Sequence, residues 1–279
     1  MTHSSTKAKD QNSGTKDGAS LSRRQLLRTG SLAALAGLGL TGCDALDQIA
    51  KSPSTTRKVM DSAQSLTYRF QRMLLNADAL AREYEPSDII QPMRPNGVTD
   101  PQDADYLALR ENAFQTYQLQ ISGLVEKPLS LSLDQLMTMP SRSQITRHDC
   151  VEGWSCIAQW KGVPLADLMV LVKPKKTARY VLIRCYDTIE QGLSGGFRYY
   201  ESIDLQDAYH PQTILAYEMN EGPLPIENGA PLRLRVERQL GYKMAKYIRS
   251  IELIESFADI EGGKGGYWED RGYAWYAGI

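Results

Sequence analysis

The 279-residue sequence has almost no surplus of charge of either sign. Its 32 Lys and Arg side chains are balanced by 33 Asp and Glu side chains, which leaves a net charge of -1. A protein that binds nucleic acid without regard to sequence needs an excess of basic side chains to neutralise phosphates. We therefore expect no nucleic-acid partner. The sequence also lacks a repeat of fixed period, which excludes a solenoid.

The apolar run nearest the N-terminus is too short to cross a bilayer. It covers ten residues, 31–40, and contains Gly37 and Gly39, whereas a spanning helix needs about 20 apolar residues. A basic patch with Arg23 and Arg24 precedes the run. This combination predicts a secretory signal. The paired arginines resemble the twin-arginine signal, which exports proteins that are already folded.

The four residues that end this segment, Leu-Thr-Gly-Cys at 40–43, resemble a bacterial lipobox. The sequence therefore predicts residues 1–43 as a twin-arginine signal peptide with lipid on the Cys43 sulfur, and residues 44–58 as a tether. Acyl chains hold a protein on a membrane at about 0.8 kcal/mol per buried methylene. We expect a lipid-anchored protein on the periplasmic side of the cytoplasmic membrane.

Cysteine is scarce, and neither a CxxC pair nor a CxxCH haem-attachment motif occurs. The chain has no sequence motif for a haem or an iron–sulfur cluster. Apart from Cys43, the cysteines are Cys150, Cys156 and Cys185. An odd number in an exported protein leaves at least one thiol free or bound to a ligand. Spacing alone also allows a buried structural Cys150 or a Cys150–Cys156 disulfide.

The pattern of apolar residues changes along the chain. Apolar side chains recur every three or four positions from Val59 to Leu80, which predicts a helix packed on the core or, alternatively, docked on a partner. We predict residues 59–109 as this helix and a proline-rich extended segment. Short alternating segments follow, with short helices at 133–137 and 164–172. Residues 110–279 are predicted as one α+β domain of mixed sheets with an aromatic C-terminal tail.

The segment 146–155, Thr-Arg-His-Asp-Cys-Val-Glu-Gly-Trp-Ser, is the most informative for chemistry. A thiolate such as that of Cys150 suits a soft or thiophilic metal. Together with Trp-Lys-Gly-Val-Pro-Leu at 160–165, the segment resembles the sulfite oxidase superfamily of molybdenum enzymes, particularly its exported bacterial members. The resemblance covers roughly residues 90–279, and it implies the sulfite-oxidase-type molybdopterin-binding fold.

The resemblance also implies a Mo-molybdopterin cofactor and its ligands. Cys150 would be the protein ligand of molybdenum, and Glu152 would lie beside it as a catalytic residue. Arg233 would bind the cofactor's phosphate, and Lys246 would add a positive charge. The implied cofactor-binding residues are Arg94, Asn96, Cys150, Cys185, Asp187, Asn228, Arg233, Met244, Ala245 and Lys246. Cys185 and Asp187 are alternatives for one contact.

The function implied is two-electron oxygen-atom transfer on a small substrate, for example a sulfur compound. The chain has no electron-carrying centre, so electrons would be exchanged with a separate membrane or c-type cytochrome. The resemblance leaves the direction of the reaction open, and Glu152 favours reduction. Because the chain lacks the superfamily's additional C-terminal dimerisation domain, we expect a monomer.

Two other functions are compatible with parts of the sequence. Gly-Leu-Ser-Gly-Gly at 192–196 fits the GxSxG motif of serine hydrolases, with Ser194 as nucleophile and His148 or His210 as base. Such a motif joins a strand to a helix, but the residues after it predict a strand, which favours a glycine-rich loop. The second alternative is a non-catalytic binding lipoprotein of the same fold, which would tolerate Cys150→Ser.

Overall fold

The computed structural model describes residues 53–74, 76, 78–192 and 195–279. The predicted signal peptide with Cys43, most of the predicted tether and Ser194 lie outside the described residues. None of the described helices is long and apolar enough to cross a membrane. Both sheets and the site described below belong to one compact unit, Ala63–Ile279.

Short helices separate the strands. The α-helices are α1 (Pro53–Leu74), α2 (Ala104–Glu111), α3 (Leu133–Thr138), α4 (Leu165–Val172) and α5 (Leu205–Ala208). The 3₁₀ turns are Pro86–Asp88, Ile226–Asn228, Gly241–Lys243 and Glu269–Arg271. The strands are β1 (Gln118–Gly123), β2 (Leu129–Ser132), β3 (Arg142–Cys150), β4 (Trp154–Pro164), β5 (Tyr180–Gly192), β6 (Gly195–Asp204), β7 (Ile214–Met219), β8 (Gly222–Pro223), β9 (Arg233–Arg235) and β10 (Ile248–Ile254).

The described strands form two sheets. The first has the order β2-β1-β10-β5-β6, in which β1 and β10 are parallel and the other neighbours are antiparallel. The second has the order β3-β4-β7-β8, with β9 also paired to β7. Mixed sheets with a few short helices are the α+β architecture that the sequence predicts, so this prediction is confirmed.

The local sequence explains the proline-rich segment 86–101 and the start of helix α3. The segment 86–101 contains only the 3₁₀ turn Pro86–Asp88, as its prolines require. Helix α3 begins after Ser132, whose hydroxyl accepts a hydrogen bond from the backbone N–H of Gln135 while the Gln135 side chain accepts one from the Ser132 N–H. This capping box satisfies two donors that a helix N-terminus would leave free.

Helix α1 differs from its prediction in extent and in packing. It begins at Pro53, within the predicted tether, and ends at Leu74. Leu66, Phe70 and Met73 lie on one face and are exposed, so the prediction that this apolar stripe packs on the core is wrong. The helix is held instead by Arg72, which forms ion pairs with two aspartates. The packing of the helix is therefore set by these partly buried ion pairs and not by its apolar stripe.

Candidate functional site

The β3–β4 hairpin places Cys150 at the rim of the second sheet. Strand β3 ends at Cys150, whose carbonyl oxygen accepts a hydrogen bond from the N–H of Gly153 (3.0 Å). Gly153 has a φ of +84°, a conformation that favours glycine. The tight turn therefore presents Cys150 and Glu152 together at the end of the hairpin.

A cavity of about 360 Å³ opens at this turn. Residues from six separate parts of the chain line it, because the segment 96–98, the two sheets, the Gly241–Lys243 turn and the C-terminal tail converge there. The lining residues are Asn96, Gly97, Val98, Cys150, Val151, Glu152, Asp187, Ile189, Tyr199, Gly241, Tyr242, Met244, Lys246, Trp268 and Tyr273. The cavity thus brings together six of the residues that the sequence predicts for the site.

Two buried guanidinium groups lie against one indole ring beneath this cavity. The Cζ atoms of Arg233 and Arg235 are 5.2 and 4.3 Å from the centre of the Trp160 ring. Arg235 forms an ion pair with Glu237 at 2.6 Å. Arg233 forms no ion pair within the described residues and is completely buried; burial lowers its pKa to about 9. Arg233 is therefore a buried cation that forms no ion pair with any of the residues that the structure describes.

Lys246 is a second cation of the same kind. Its Nζ donates to the backbone carbonyls of Asn96 (2.6 Å) and Glu227 (2.9 Å) and to that of Val98. Burial, followed by the charge of Arg233, lowers the pKa of Lys246 to about 7. Burial also raises the pKa of Asp187 to about 7.

Several buried polar atoms at the site have no hydrogen-bond partner among the described residues. They are Nε of Arg233, Nδ2 of Asn228 and Oδ1 of Asp187. Buried donors and acceptors are normally paired, and each orphan costs about 1–3 kcal/mol. An anion with a polar ring edge would satisfy the two cations and these orphan atoms together. The site therefore fits a phosphate-bearing, polar organic cofactor, as molybdopterin is.

The mouth of the cavity carries the carboxylate of Glu152. Its Oε2 accepts a hydrogen bond from Trp154 Nε1 (2.9 Å) and lies 3.8 Å from Arg94 Nη2. The guanidinium of Arg94 stacks over the Trp154 ring at 5.0 Å. These three side chains form one group at the entrance, and Arg94, 64% exposed, is part of the rim.

The Cys150 thiol is half-buried and unpaired. Burial raises its pKa, while the nearby Arg94 and Arg233 lower it. A bound metal would hold it as the thiolate. The alternative Cys150–Cys156 disulfide is wrong, because both thiols are free and Cys156 pairs with His148 in the hairpin register.

The His148 ring packs against the loop that carries Met244 and Lys246, which line the cavity. Its Nδ1 lies 3.2 Å from Arg235 Nη1 and 3.3 Å from Met244 Sδ. A Cβ on Gly241 would lie only 2.3 Å from the His148 Cε1 atom. Gly241 is therefore required for the Gly241–Lys243 turn to approach the ring, and this contact fixes the loop that carries Met244 and Lys246.

The remaining predicted residues occupy distinct positions. Asn228 and Ala245 are buried; the Asn228 carbonyl accepts a bond from Arg233 (3.0 Å), and the Ala245 carbonyl accepts one from the N–H of Leu234 (2.8 Å). Of the two alternatives on β5, Asp187 lines the Cys150 cavity and Cys185 lines a different one. The structure therefore favours Asp187 for this contact.

Sequence reasoning missed the aromatic walls. Tyr199, Tyr242, Trp268 and Tyr273 line the cavity, but they come from β6, a 3₁₀ turn and the tail. The clustering of aromatics in the tail was the available signal. The hydrolase alternative loses its base, because His148 and His210 are both buried and hydrogen-bonded to other groups.

Comparisons with known proteins identify a family. The family model for the oxidoreductase molybdopterin-binding domain matches residues 106–259. The chain is 36% identical to a protein of Azospira oryzae named as protein-methionine-sulfoxide reductase subunit YedZ1, over 88% of this chain and 84% of the relative. It is 32% identical to the protein-methionine-sulfoxide reductase catalytic subunit MsrP of Xanthomonas axonopodis pv. citri, over 85% of this chain and 71% of the relative.

A solved structure, the sulfane dehydrogenase SoxCD of Paracoccus pantotrophus, superposes on part of the chain. The match has a TM-score of 0.45 and 23% identity, and it covers 51% of this chain and 39% of that chain.

Proposed function

Because the chain belongs to the oxidoreductase molybdopterin-binding family of the sulfite oxidase superfamily, we propose that it reduces sulfoxides of the methionine sulfoxide type. Membership makes it a Mo-molybdopterin-dependent oxidoreductase. The finer assignment is supported by the names of the relatives that align over most of the chain. Glu152 at the cavity mouth favours the reducing direction.

One observation carries the cofactor assignment to particular residues. Arg233 and Lys246 are buried cations without an ion pair among the described residues, and Lys246 lines the same cavity as a free, half-buried thiol. Burying uncompensated charge costs several kcal/mol. A chain that keeps two such charges in this position is arranged to bind an anion there.

The residues of the site have two roles: some bind the cofactor and others contact the substrate. When bound, Mo-molybdopterin supplies a metal centre that accepts an oxygen atom and exchanges two electrons. Cys150 is the ligand of that metal, Arg233 and Lys246 bind the anionic part, and Asn96, Asp187 and Asn228 provide polar contacts. Glu152 binds or protonates the substrate at the entrance, where Trp154 holds its Oε2 atom. The aromatic walls exclude water.

A reduction assay tests this function. With a chemically reduced viologen as electron donor, the natively exported wild type reduces methionine sulfoxide, whereas Cys150→Ser retains less than about 1% of kcat. Cys156→Ser is the matched control, because that buried thiol is outside the cavity; it keeps at least about half of the activity. Equal rates in wild type and Cys150→Ser would contradict the assignment.

We also propose that the chain is exported by its twin-arginine signal and anchored through Cys43, as a monomer that takes its electrons from a membrane or c-type cytochrome. The sequence features at 1–43 support export and anchoring, and the lack of a haem motif supports a separate electron donor. Cys43→Ser should move the protein from the membrane fraction to the soluble periplasmic fraction. Unchanged membrane association after this substitution would contradict the anchor.

A further inference from the structure

Three ionisable side chains are buried next to the cavity and take no part in the chemistry above. Lys243 Nζ donates to Glu201 Oε1 at 2.5 Å and to Glu269 Oε1 at 2.6 Å, and each side chain is at most 1% exposed. Buried charges are tolerated when they are paired. One ammonium group compensates the charge of only one carboxylate. If Glu201 and Glu269 were both ionised, one negative charge would therefore be buried without compensation.

The hydrogen bonds around Glu201 occupy its Oε1 atom and leave Oε2 available to carry a proton. Oε1 accepts from Lys243 Nζ and from the backbone N–H of Ser202 (2.8 Å). Oε2 lies 3.4 Å from the hydroxyl oxygen of Tyr199, and the single Tyr199 proton is donated to the carbonyl oxygen of Tyr242. A proton on Oε2 would face the Tyr199 hydroxyl oxygen, which can accept it because its own proton is donated elsewhere.

The backbone brings the two carboxyl groups together at Gly266. A Cβ on Gly266 would lie 2.1 Å from Glu269 Oε2 and 2.7 Å from Glu201 Oε1, so a side chain there would force the two carboxyl groups to shift. Burial and the charge of Glu269 raise the pKa of Glu201 well above its usual value. Burial lowers the pKa of Lys243, but the two carboxylates outweigh burial and raise it overall. The cluster therefore holds one proton beyond that of the ammonium.

This cluster lies directly behind the cavity wall. Tyr242 precedes Lys243 and Trp268 precedes Glu269, and both aromatic residues line the cavity with Cys150. Tyr199 also lines it, and it shares a strand face with Glu201 two residues on. Tyr199 further lines a second cavity, of about 910 Å³, that reaches the exposed residues Glu261 and Gly262. Tyr199 is thus shared by the substrate cavity and a route to solvent.

Other titratable and aromatic groups interact with the cluster from the neighbouring elements. They are Cys185 on β5, Tyr199 and Tyr200 on β6, Tyr242 on the 3₁₀ turn and Trp275 in the tail.

We propose that the Glu201–Glu269 pair, held by Lys243, stores a proton and passes it to the substrate cavity through the Tyr199 hydroxyl. The proposal rests on the proposed sulfoxide reduction. That reaction breaks the S–O bond, leaves a lone pair on sulfur and releases the oxygen as water. It consumes two electrons from the cytochrome donor and two protons, one from Glu201 and one from solvent at the cavity mouth. Water in the second cavity reprotonates the pair.

The stored proton is tested without any turnover. Infrared spectroscopy of the holoenzyme at pH 7 is expected to show carbonyl stretches of protonated carboxyl groups in wild type, and Glu201→Gln should remove the band that belongs to Glu201. Glu218→Gln is the control, because Glu218 forms a surface ion pair with Lys161 and should leave the band unchanged. A wild-type spectrum without the band, or a band unaffected by Glu201→Gln, would overturn the proposal.

The transfer step is tested by kinetics. Tyr199→Phe keeps the ring and removes only the hydroxyl group, so it tests the relay even where Glu201→Gln fails to fold. We expect full molybdenum content, an unchanged KM and a kcat that is reduced about tenfold. The reduction in kcat should be largest above pH 8. An unaltered kcat across the pH range would overturn the relay. A wild type that carries the band but reduces no sulfoxide would refute the proposed function, and the relay with it, while leaving the stored proton established.

Discussion

Arg233 and Arg235 stack on the same indole ring, that of Trp160, but they differ in whether a buried carboxylate pairs with them. Arg235 has a buried partner in Glu237 at 2.6 Å, and Arg233 has none among the described residues. Removing one member of a buried pair leaves an uncompensated charge, whereas removing an unpaired charge relieves one. The two substitutions to methionine should therefore separate binding from stability.

Arg233→Met is predicted to reduce the molybdenum content to less than about a tenth of wild type, because an anion-binding group is lost. The free energy of unfolding of the cofactor-free chain should rise by about 1 kcal/mol or more. Arg235→Met, the matched control, should lower it by about 3–5 kcal/mol because Glu237 is left unpaired. Metal analysis and urea denaturation check both variants, and a destabilised Arg233→Met would contradict the assignment of a costly buried charge.

Lys246 makes the stability of the cofactor-free chain depend on pH. Its pKa is lowered from 10.5 to about 7 on folding, so between these values the unfolded chain binds more protons. Stability must therefore rise with pH above about 7. Asp187, whose pKa is raised from 3.8 to about 7, has the opposite effect below pH 7, where stability falls as pH rises.

We predict that urea denaturation of the cofactor-free protein gives its lowest stability near pH 7 and an increase toward pH 9. Lys246→Met should reduce the increase above pH 7, and Asp187→Asn should remove most of the decrease below it. A profile that falls steadily from pH 7 to pH 9 would show that Lys246 is not a buried cation.

At the scale of elements, the site depends on how closely the Gly241–Lys243 turn approaches β3. A Cβ on Gly241 would overlap the buried His148 ring, whereas one on Gly222 meets only a carbonyl oxygen at 3.8 Å. Gly241→Ala is expected to lower the free energy of unfolding by about 1–3 kcal/mol and to weaken cofactor retention, while Gly222→Ala changes neither greatly. Thermal unfolding and molybdenum content measure the two effects. Full cofactor content in Gly241→Ala would show that the turn tolerates a shift.

Sequence patterns predicted some elements better than others for physical reasons. Helices α3 (Leu133–Thr138) and α4 (Leu165–Val172) end within one residue of their predicted bounds, 133–137 and 164–172, because their local apolar spacing matches the face that they bury. Helix α1 was predicted, but its buried face was not, since the Arg72 ion pairs and the Tyr68 hydroxyl bond to Asp204 (2.9 Å) involve distant residues. Partners 130 residues apart leave no periodic signal.

In the site, too, residues that share a local motif could be predicted, whereas contacts between distant segments could not. Cys150 and Glu152 share one short motif, so the sequence could identify them together. The stacking of Arg233 on Trp160 and the aromatic walls from Tyr199 and Trp268 join segments that are far apart in the chain. Only the folded arrangement of two sheets and a tail shows that they meet.

At the scale of the whole molecule, the C-terminal tail joins helix α1 to the first sheet. The Trp275 ring contacts Tyr68, Tyr180 and Phe257 at centroid distances of 5.3–6.0 Å, and its Nε1 donates to Ser202 Oγ (2.9 Å). Trp275→Ala should destabilise the protein by about 3 kcal/mol. Tyr209→Ala, at an exposed position, is the control and should cost little. Chemical denaturation measures both, and equal stabilities would show that the tail is dispensable.

The proposed function requires the Cys150 thiolate to hold molybdenum in a cofactor bound by Arg233 and Lys246. Metal analysis of natively exported protein measures this requirement. We expect about one molybdenum per chain in wild type and its loss in Cys150→Ser. Stoichiometric zinc, no metal in wild type, or undiminished molybdenum in Cys150→Ser would contradict it.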